Sequence, residues 1–388
     1  MRKLFLAVLA IALTAVLAAA CGGSSGGAQP TSSTGDSTTP VATRAQSSGG
    51  TGSFTKSGDM GGRRQQHGAT LLKDGRVLVA AGIDTGGANL NKPIHNSAEI
   101  YDPATGQWTA TGSMQETRHD MVLLTLQDGK VLVTGGRGLS TFATMVTEIW
   151  DPATGQWTVS SPMNDERDYF DGVVLQDGRV MVSGGFAQEY GMQKTTEFWD
   201  PATGAWTAGP NMSEDRAAHT MTLLQDGRVL VVGGGKIDPP YSNTAEIYDP
   251  ATNSFSSAGE LSRGRQEHTA TLLQDGRVLV VGGRGRQREA EIYDPASNSW
   301  SSAGTIQTGR GEHSAALLPN GRVIVMGGTG NIASTEIYDP ASNTWTAGPN
   351  MTEGRIRFPV VGLTNGTVLI AGGNGVSGLL ASTEIYSP

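Results

Sequence analysis

The stretch QEHTATLLQDGRVLVVGG at residues 266–283, followed by AEIYDPASNSW at residues 290–300, decides the fold. Two apolar runs flank Asp275-Gly276, and an Asp-Gly pair between such runs marks a two-residue hairpin, because a type I′ turn needs positive φ at both central residues. The runs are therefore strands a and b of one antiparallel unit. Strand b ends in Gly282-Gly283, where the missing side chains leave room for neighbouring backbone. Glu291-Ile292-Tyr293 makes strand c, and strand d starts at the aromatic Trp300.

The same order recurs along the chain. Arg64, Arg118, Arg167, Arg216, Arg265, Arg310 and Arg355 each stand ten residues before an Asp-Gly or Asn-Gly pair, the pairs beginning at Asp74, Asp128, Asp177, Asp226, Asp275, Asn320 and Asn365. The strand-d aromatics Phe54, Trp108, Trp157, Trp206, Phe255, Trp300 and Trp345 follow one another at intervals of 45 to 54 residues. Such a period suits one four-stranded sheet per copy and an all-β repeat architecture. The seventh copy stops at EIYSP (384–388) without a strand d, whereas TGSFTKSGDM (51–60) is a strand d without a sheet of its own. The N-terminal strand is expected to complete the last sheet, covering an edge that would otherwise be open.

Gly-Gly, a Tyr before Asp-Pro, then Trp and Arg-x-x-His together resemble the kelch repeat, over about residues 51–388. The resemblance implies a seven-bladed β-propeller, a ring of radially packed four-stranded sheets.

Residues 1–20 read as a signal peptide: Arg2 and Lys3 are basic, residues 4–17 are almost wholly apolar, and residues 18–20 are alanine. Cleavage would leave Cys21 first, and LAAAC resembles the bacterial lipoprotein lipobox, which implies an acylated Cys21. Residues 21–50 are then the lipidated cysteine and a flexible Gly/Ser/Thr tether, too poor in apolar side chains to fold. The expected location is the bacterial cell envelope, on the extracytoplasmic side, with the lipid as the only membrane contact. A net charge of -8 argues against a nucleic-acid partner. Cys21 is the single cysteine, which removes intramolecular disulfides, Cys-based zinc sites and a cysteine nucleophile from the folded part.

In a four-stranded meander the a–b and c–d turns share one face, and the b–c and d–a loops share the other. The first face repeats almost unchanged. All the length variation falls in the b–c segments, longest in the first copy, so a ligand site is expected where those of blades 1 to 4 overhang the central channel. Residues that break the repeat there are the candidate ligand-binding set: His95, His119, Tyr169, Tyr190, Tyr241, Glu267, Glu312 and Arg357. Aromatic faces with a few charged groups suit sugar or peptide recognition.

The seven repeated arginines are structural or secondary ligand candidates. Each copy also carries one strand-c glutamate, Glu99, Glu148, Glu197, Glu246, Glu291, Glu336 or Glu384, so a repeated ion pair is the reading preferred. His67, His219, His268 and His313 share their column with Met121, Phe170 and Phe358, which indicates packing and not metal coordination.

These features describe a membrane-anchored binding module for carbohydrate, cell-wall or protein ligands, expected to be a monomer with no catalytic residues, metal or cofactor. The alternative is a sugar-modifying enzyme of the kelch epimerase or mutarotase type, with Glu267, Glu312 and His119 as acid–base groups. The kelch resemblance also raises the copper radical oxidases, whose cofactor requires a Cys-Tyr crosslink that a cysteine-free domain lacks.

Overall fold

A computed structural model describes residues 52–84, 94–138, 143–235 and 241–388. The signal peptide, Cys21 and the tether lie outside the described residues, as do parts of three b–c segments. The described residues form seven four-stranded antiparallel sheets, and no helix. One blade shows the rule: Thr220–Leu223, Val229–Val232, Thr244–Asp249 and Ser254–Glu260 are strands a to d, paired in that order. The innermost a strands of consecutive blades touch, and that of the seventh, Val360–Gly362, touches that of the first, Gly68–Leu71. The sheets therefore close into a ring, the β-propeller.

Strand b is a continuous apolar run because both of its faces are covered. Val229 to Val232 are fully buried. Alternate residues pack on opposite neighbours: Leu78 and Ala80 join the cluster containing Val131 and Trp150 of blade 2, while Val77 and Val79 join Leu369 and Ala371 of blade 7. The core is thus a set of layers between blades. The N-terminal strand Ser53–Lys56 pairs with Thr383–Ser387 as the outermost strand of blade 7, and the rings of Phe54 and Tyr386 lie 5.0 Å apart.

The hairpin turns differ from the sequence expectation. Leu72 N donates to Arg76 O at 2.8 Å and Gly75 N to Leu72 O at 3.0 Å, a three-residue loop in which Gly75 alone has positive φ. This is a type I turn closed by a glycine bulge, not a type I′ turn. Asp74 stays at negative φ, and its Oδ1 accepts the Arg76 N–H at 3.0 Å.

Seven buried ion pairs hold the blades. Arg64–Glu99, Arg118–Glu148, Arg167–Glu197, Arg216–Glu246, Arg265–Glu291, Arg310–Glu336 and Arg355–Glu384 lie between 2.6 and 3.0 Å. Arg216 shows the rest of the pattern. Its Nη1 donates to Gly233 O at 2.7 Å and Thr244 O at 3.1 Å, so the guanidinium ties strands b and c together. Glu246 also accepts the Ser213 N–H at 2.8 Å, which pins the d–a crossing. The main chain of the same arginine reaches the preceding blade, because Gly185 N donates to Arg216 O at 2.8 Å. The equivalent bond from Gly373 N to Arg64 O, also 2.8 Å, joins blade 7 to blade 1. This approach explains the glycine doublets: a Cβ on Gly184 would lie 2.4 Å from Arg216 O, at a φ of +62°.

Removing one partner of such a pair strands a buried charge. Arg265→Ala should lower stability by about 3–5 kcal/mol, read from denaturant unfolding; a variant that unfolds like wild type would show that Glu291 does not depend on its guanidinium.

Candidate functional site

Each repeated arginine fixes the position of the residue two places on. Gln66, Asp120, Tyr169, Ala218, Glu267, Glu312 and Arg357 occupy this column, and all have φ between 51° and 55°. Left-handed backbone costs a non-glycine residue on the order of 1 kcal/mol. Here it turns the chain from the d–a crossing into strand a. Six main-chain hydrogen bonds link the column around the channel: Asp120 to Gln66, Ala218 to Tyr169, Glu267 to Ala218, Glu312 to Glu267, Arg357 to Glu312 and Gln66 to Arg357.

Six of these side chains, all but Ala218, line one cavity of 320 Å³, with His67, His268, His313, Ser314, Phe358 and Pro359 behind them. Its size is at the lower end of small-molecule sites. Asp120 Oδ2 accepts Gln66 Nε2 at 2.6 Å and lies 2.9 Å from His119 Nδ1. Arg357 donates to Glu312 Oε1 from Nε at 2.8 Å and from Nη2 at 2.5 Å. The negative charge of Asp120, then burial, raises the Tyr169 hydroxyl well above its ordinary range, so it remains a neutral donor. Burial, then the charge of Glu312, raises the Glu267 carboxyl.

The structure brings Tyr169, Glu267, Glu312 and Arg357 together on this cavity. His119 is buried behind it, on Asp120. His95 bonds Arg63 O at 3.1 Å and is not among the lining residues. Tyr190 is 71% exposed on the blade 3 hairpin that links Phe186–Ala187 to Gly191–Met192. Tyr241 bridges Gly235. The walls come from the d–a junctions of six blades, and no described b–c residue contributes. Sequence reading missed Gln66 and Asp120, although they stand two residues after a repeated arginine like the four it found.

The seven arginines are buried and engaged with their glutamates, so they form the frame of the site and not its lining. The histidines are neutral packing groups: burial lowers His219 and His313 to about 3. His268 Nε2 lies 3.0 Å from Thr220 Oγ1 and His313 Nε2 3.0 Å from Thr269 Oγ1, each on the preceding blade.

The family description "KLHDC2/KLHL20/DRC7 Kelch-repeats domain" matches residues 172–373, and the "Kelch motif" matches residues 67–115. Kelch-like protein 38 of Rattus norvegicus is 38% identical over 74 residues, which is 19% of this chain and 12% of the length of that relative. A fungal alcohol oxidase of the AA5 family, solved in complex with copper, aligns with a TM-score of 0.69 at 19% identity, over 87% of this chain and 76% of its own. At that identity the likeness is one of fold. Among the described residues there is no cysteine, and no group of three or more His, Cys, Asp or Glu is placed to hold a metal ion, so the residues here do not fit a copper centre.

Blade 3 departs furthest from the repeat. Asp171 stands where Thr220 and Thr269 stand in their blades, and accepts the Gly172 and Met221 N–H groups, both at 2.8 Å. Burial raises its carboxyl to about 6. Because this folded value exceeds the unfolded one, its stabilising contribution is full below about pH 4 and is lost as pH rises through about 6. Relative to wild type, Asp171→Asn should flatten the fall in unfolding free energy between pH 4 and 7, by an amount on the order of 1–3 kcal/mol read from denaturant unfolding; parallel curves for the two proteins would rule the assignment out.

Proposed function

Because the chain belongs to the kelch-repeat family, we propose that it is a binding module that takes a carbohydrate, cell-wall or protein ligand in the cavity at the channel mouth. Cys21 carries a lipid, and the tether displays the propeller on the extracytoplasmic side of a bacterial membrane. One observation carries the binding reading: the frame of the ring repeats seven times, whereas the column it holds toward the channel changes chemistry from blade to blade. The copies serve as controls for one another. A position that only had to close the ring would carry one residue type, as the arginine and glutamate columns do. Here Gln, Asp, Tyr, Ala, Glu, Glu and Arg share one strained geometry, and such sites concentrate where ligands bind.

Support for the anchor comes from the apolar segment, the three alanines and Cys21, followed by a spacer without core-forming side chains. Support for a macromolecular or glycan ligand comes from the open face, where Tyr169 offers an aromatic ring beside charged groups.

Tyr169→Ala should keep near-native melting and weaken retention of ligands found by glycan and peptide arrays by about tenfold. Array binding unchanged in both Tyr169→Ala and Arg357→Ala would move the site elsewhere.

Cys21→Ser should release an otherwise detergent-partitioning protein into the aqueous phase. Wild-type protein found wholly in the aqueous phase would reject the anchor.

A further inference from the structure

We propose that the channel mouth takes a protonated primary amine, with the Glu267 carboxylate as its main acceptor and Asp120 and Glu312 completing the negative field. The inference rests on the reading of this cavity as the binding site and names the chemistry of what enters it.

The first observation is charge. Three carboxylates, those of Asp120, Glu267 and Glu312, line the cavity against one guanidinium, that of Arg357. The lining histidines add nothing, since burial, with nearby arginines, keeps them neutral. Arg357 is bound to Glu312, and Asp120 accepts from Gln66. The Glu267 side chain has no hydrogen-bond donor among the described residues, and Glu312 and Asp120 add their negative charges to its surroundings. Arg284, on the exposed rim, and Arg357, held by Glu312, oppose them without a hydrogen bond to Glu267. A half-buried carboxylate without a donor is expensive unless a cation completes it.

The second observation is independent of the acids. In blades 5 and 6 the buried imidazole meets a hydroxyl of the preceding blade, Thr220 for His268 and Thr269 for His313. In blade 1 the matching partner is Pro359, which has no hydroxyl. His67 lines the cavity, is 7% exposed, and its ring nitrogens meet no side-chain hydrogen-bond partner, with only the Ala371 main chain beside the ring. Its neutral ring, which can donate to the Ala371 main chain, thus keeps an acceptor nitrogen without a donor behind the cavity wall.

An ammonium group suits this arrangement. It is compact, carries three N–H donors and no acceptor, and can address acceptors spread around a ring. No group of described residues converges as metal ligands, which favours an organic cation over a metal ion.

The test is an NMR titration of the full chain with two amines, D-glucosamine and α-N-acetyl-lysine methylamide, each beside the counterpart in which the amine is acetylated. Binding of the first amine identifies an amino sugar as the source of the ammonium, and binding of the second a lysine side chain. Acetylation should weaken either by about tenfold or more, as should Glu267→Gln. Arg357→Gln frees Glu312 and should tighten amine binding. Equal binding of an amine and its acetylated counterpart, or no change in Glu267→Gln, would overturn the inference. Should neither amine bind while array ligands still depend on Tyr169, the amine inference falls and the site stands. If Tyr169 dependence is lost as well, both fall.

Discussion

The rest of the structure depends on the buried arginine–glutamate pair. A guanidinium removed from water costs several kcal/mol unless its donors are used, and here each one is spread over the glutamate, the end of strand b and the start of strand c. The glutamate in turn takes an N–H from the chain arriving from strand d. One residue per blade therefore holds its own sheet through its side chain and the preceding blade through its carbonyl. Apolar layers supply most of the burial, but they are nearly interchangeable from blade to blade; the directional bonds set the angle at which one sheet follows another.

This frame has a consequence for the site. With every arginine in the same place, the residue two positions later always arrives at the same point of the channel mouth with the same left-handed backbone. Its side chain is then released from the fold, and seven equivalent positions can differ in chemistry without altering the ring. Blade 3 uses this freedom most. Asp168, Tyr169, Phe170 and Asp171 replace the usual pattern in succession, with burial raising both Asp168 and Asp171 to about 6. Asp168 is held by Arg137 of blade 2 at 2.8 Å, and Asp171 by the Met221 N–H of blade 4, so this segment contacts both neighbours.

Much of the fold was legible because its determinants are local. Asp-Gly and Asn-Gly pairs ten residues after each arginine locate the hairpins, and the truncated last copy together with the orphan strand around Phe54 implies how the ring closes. The turn type was misjudged for an equally local reason: the aspartate satisfies the arginine N–H from negative φ and leaves positive φ to glycine alone. The site was legible in part. Tyr169, Glu267, Glu312 and Arg357 stood out as breaks in the repeat, whereas Gln66 and Asp120 did not, because a glutamine or an aspartate in a loop draws no attention until its column is known to face a cavity.

By itself the sequence determined the period, the strand order within a copy, the apolar layers and one arginine and one glutamate per blade, all of which are set by residues within about fifty positions of one another. Only the tertiary structure decided which side chains share a cavity. Gln66 and Arg357 are joined by a main-chain hydrogen bond although nearly the whole propeller separates them in the chain, and Glu267 becomes an acceptor without a donor only when the ring closes around it. Spacing along the chain specifies each blade, but the field at the channel mouth is a sum over six blades, and that sum exists only once the last strand has met the first.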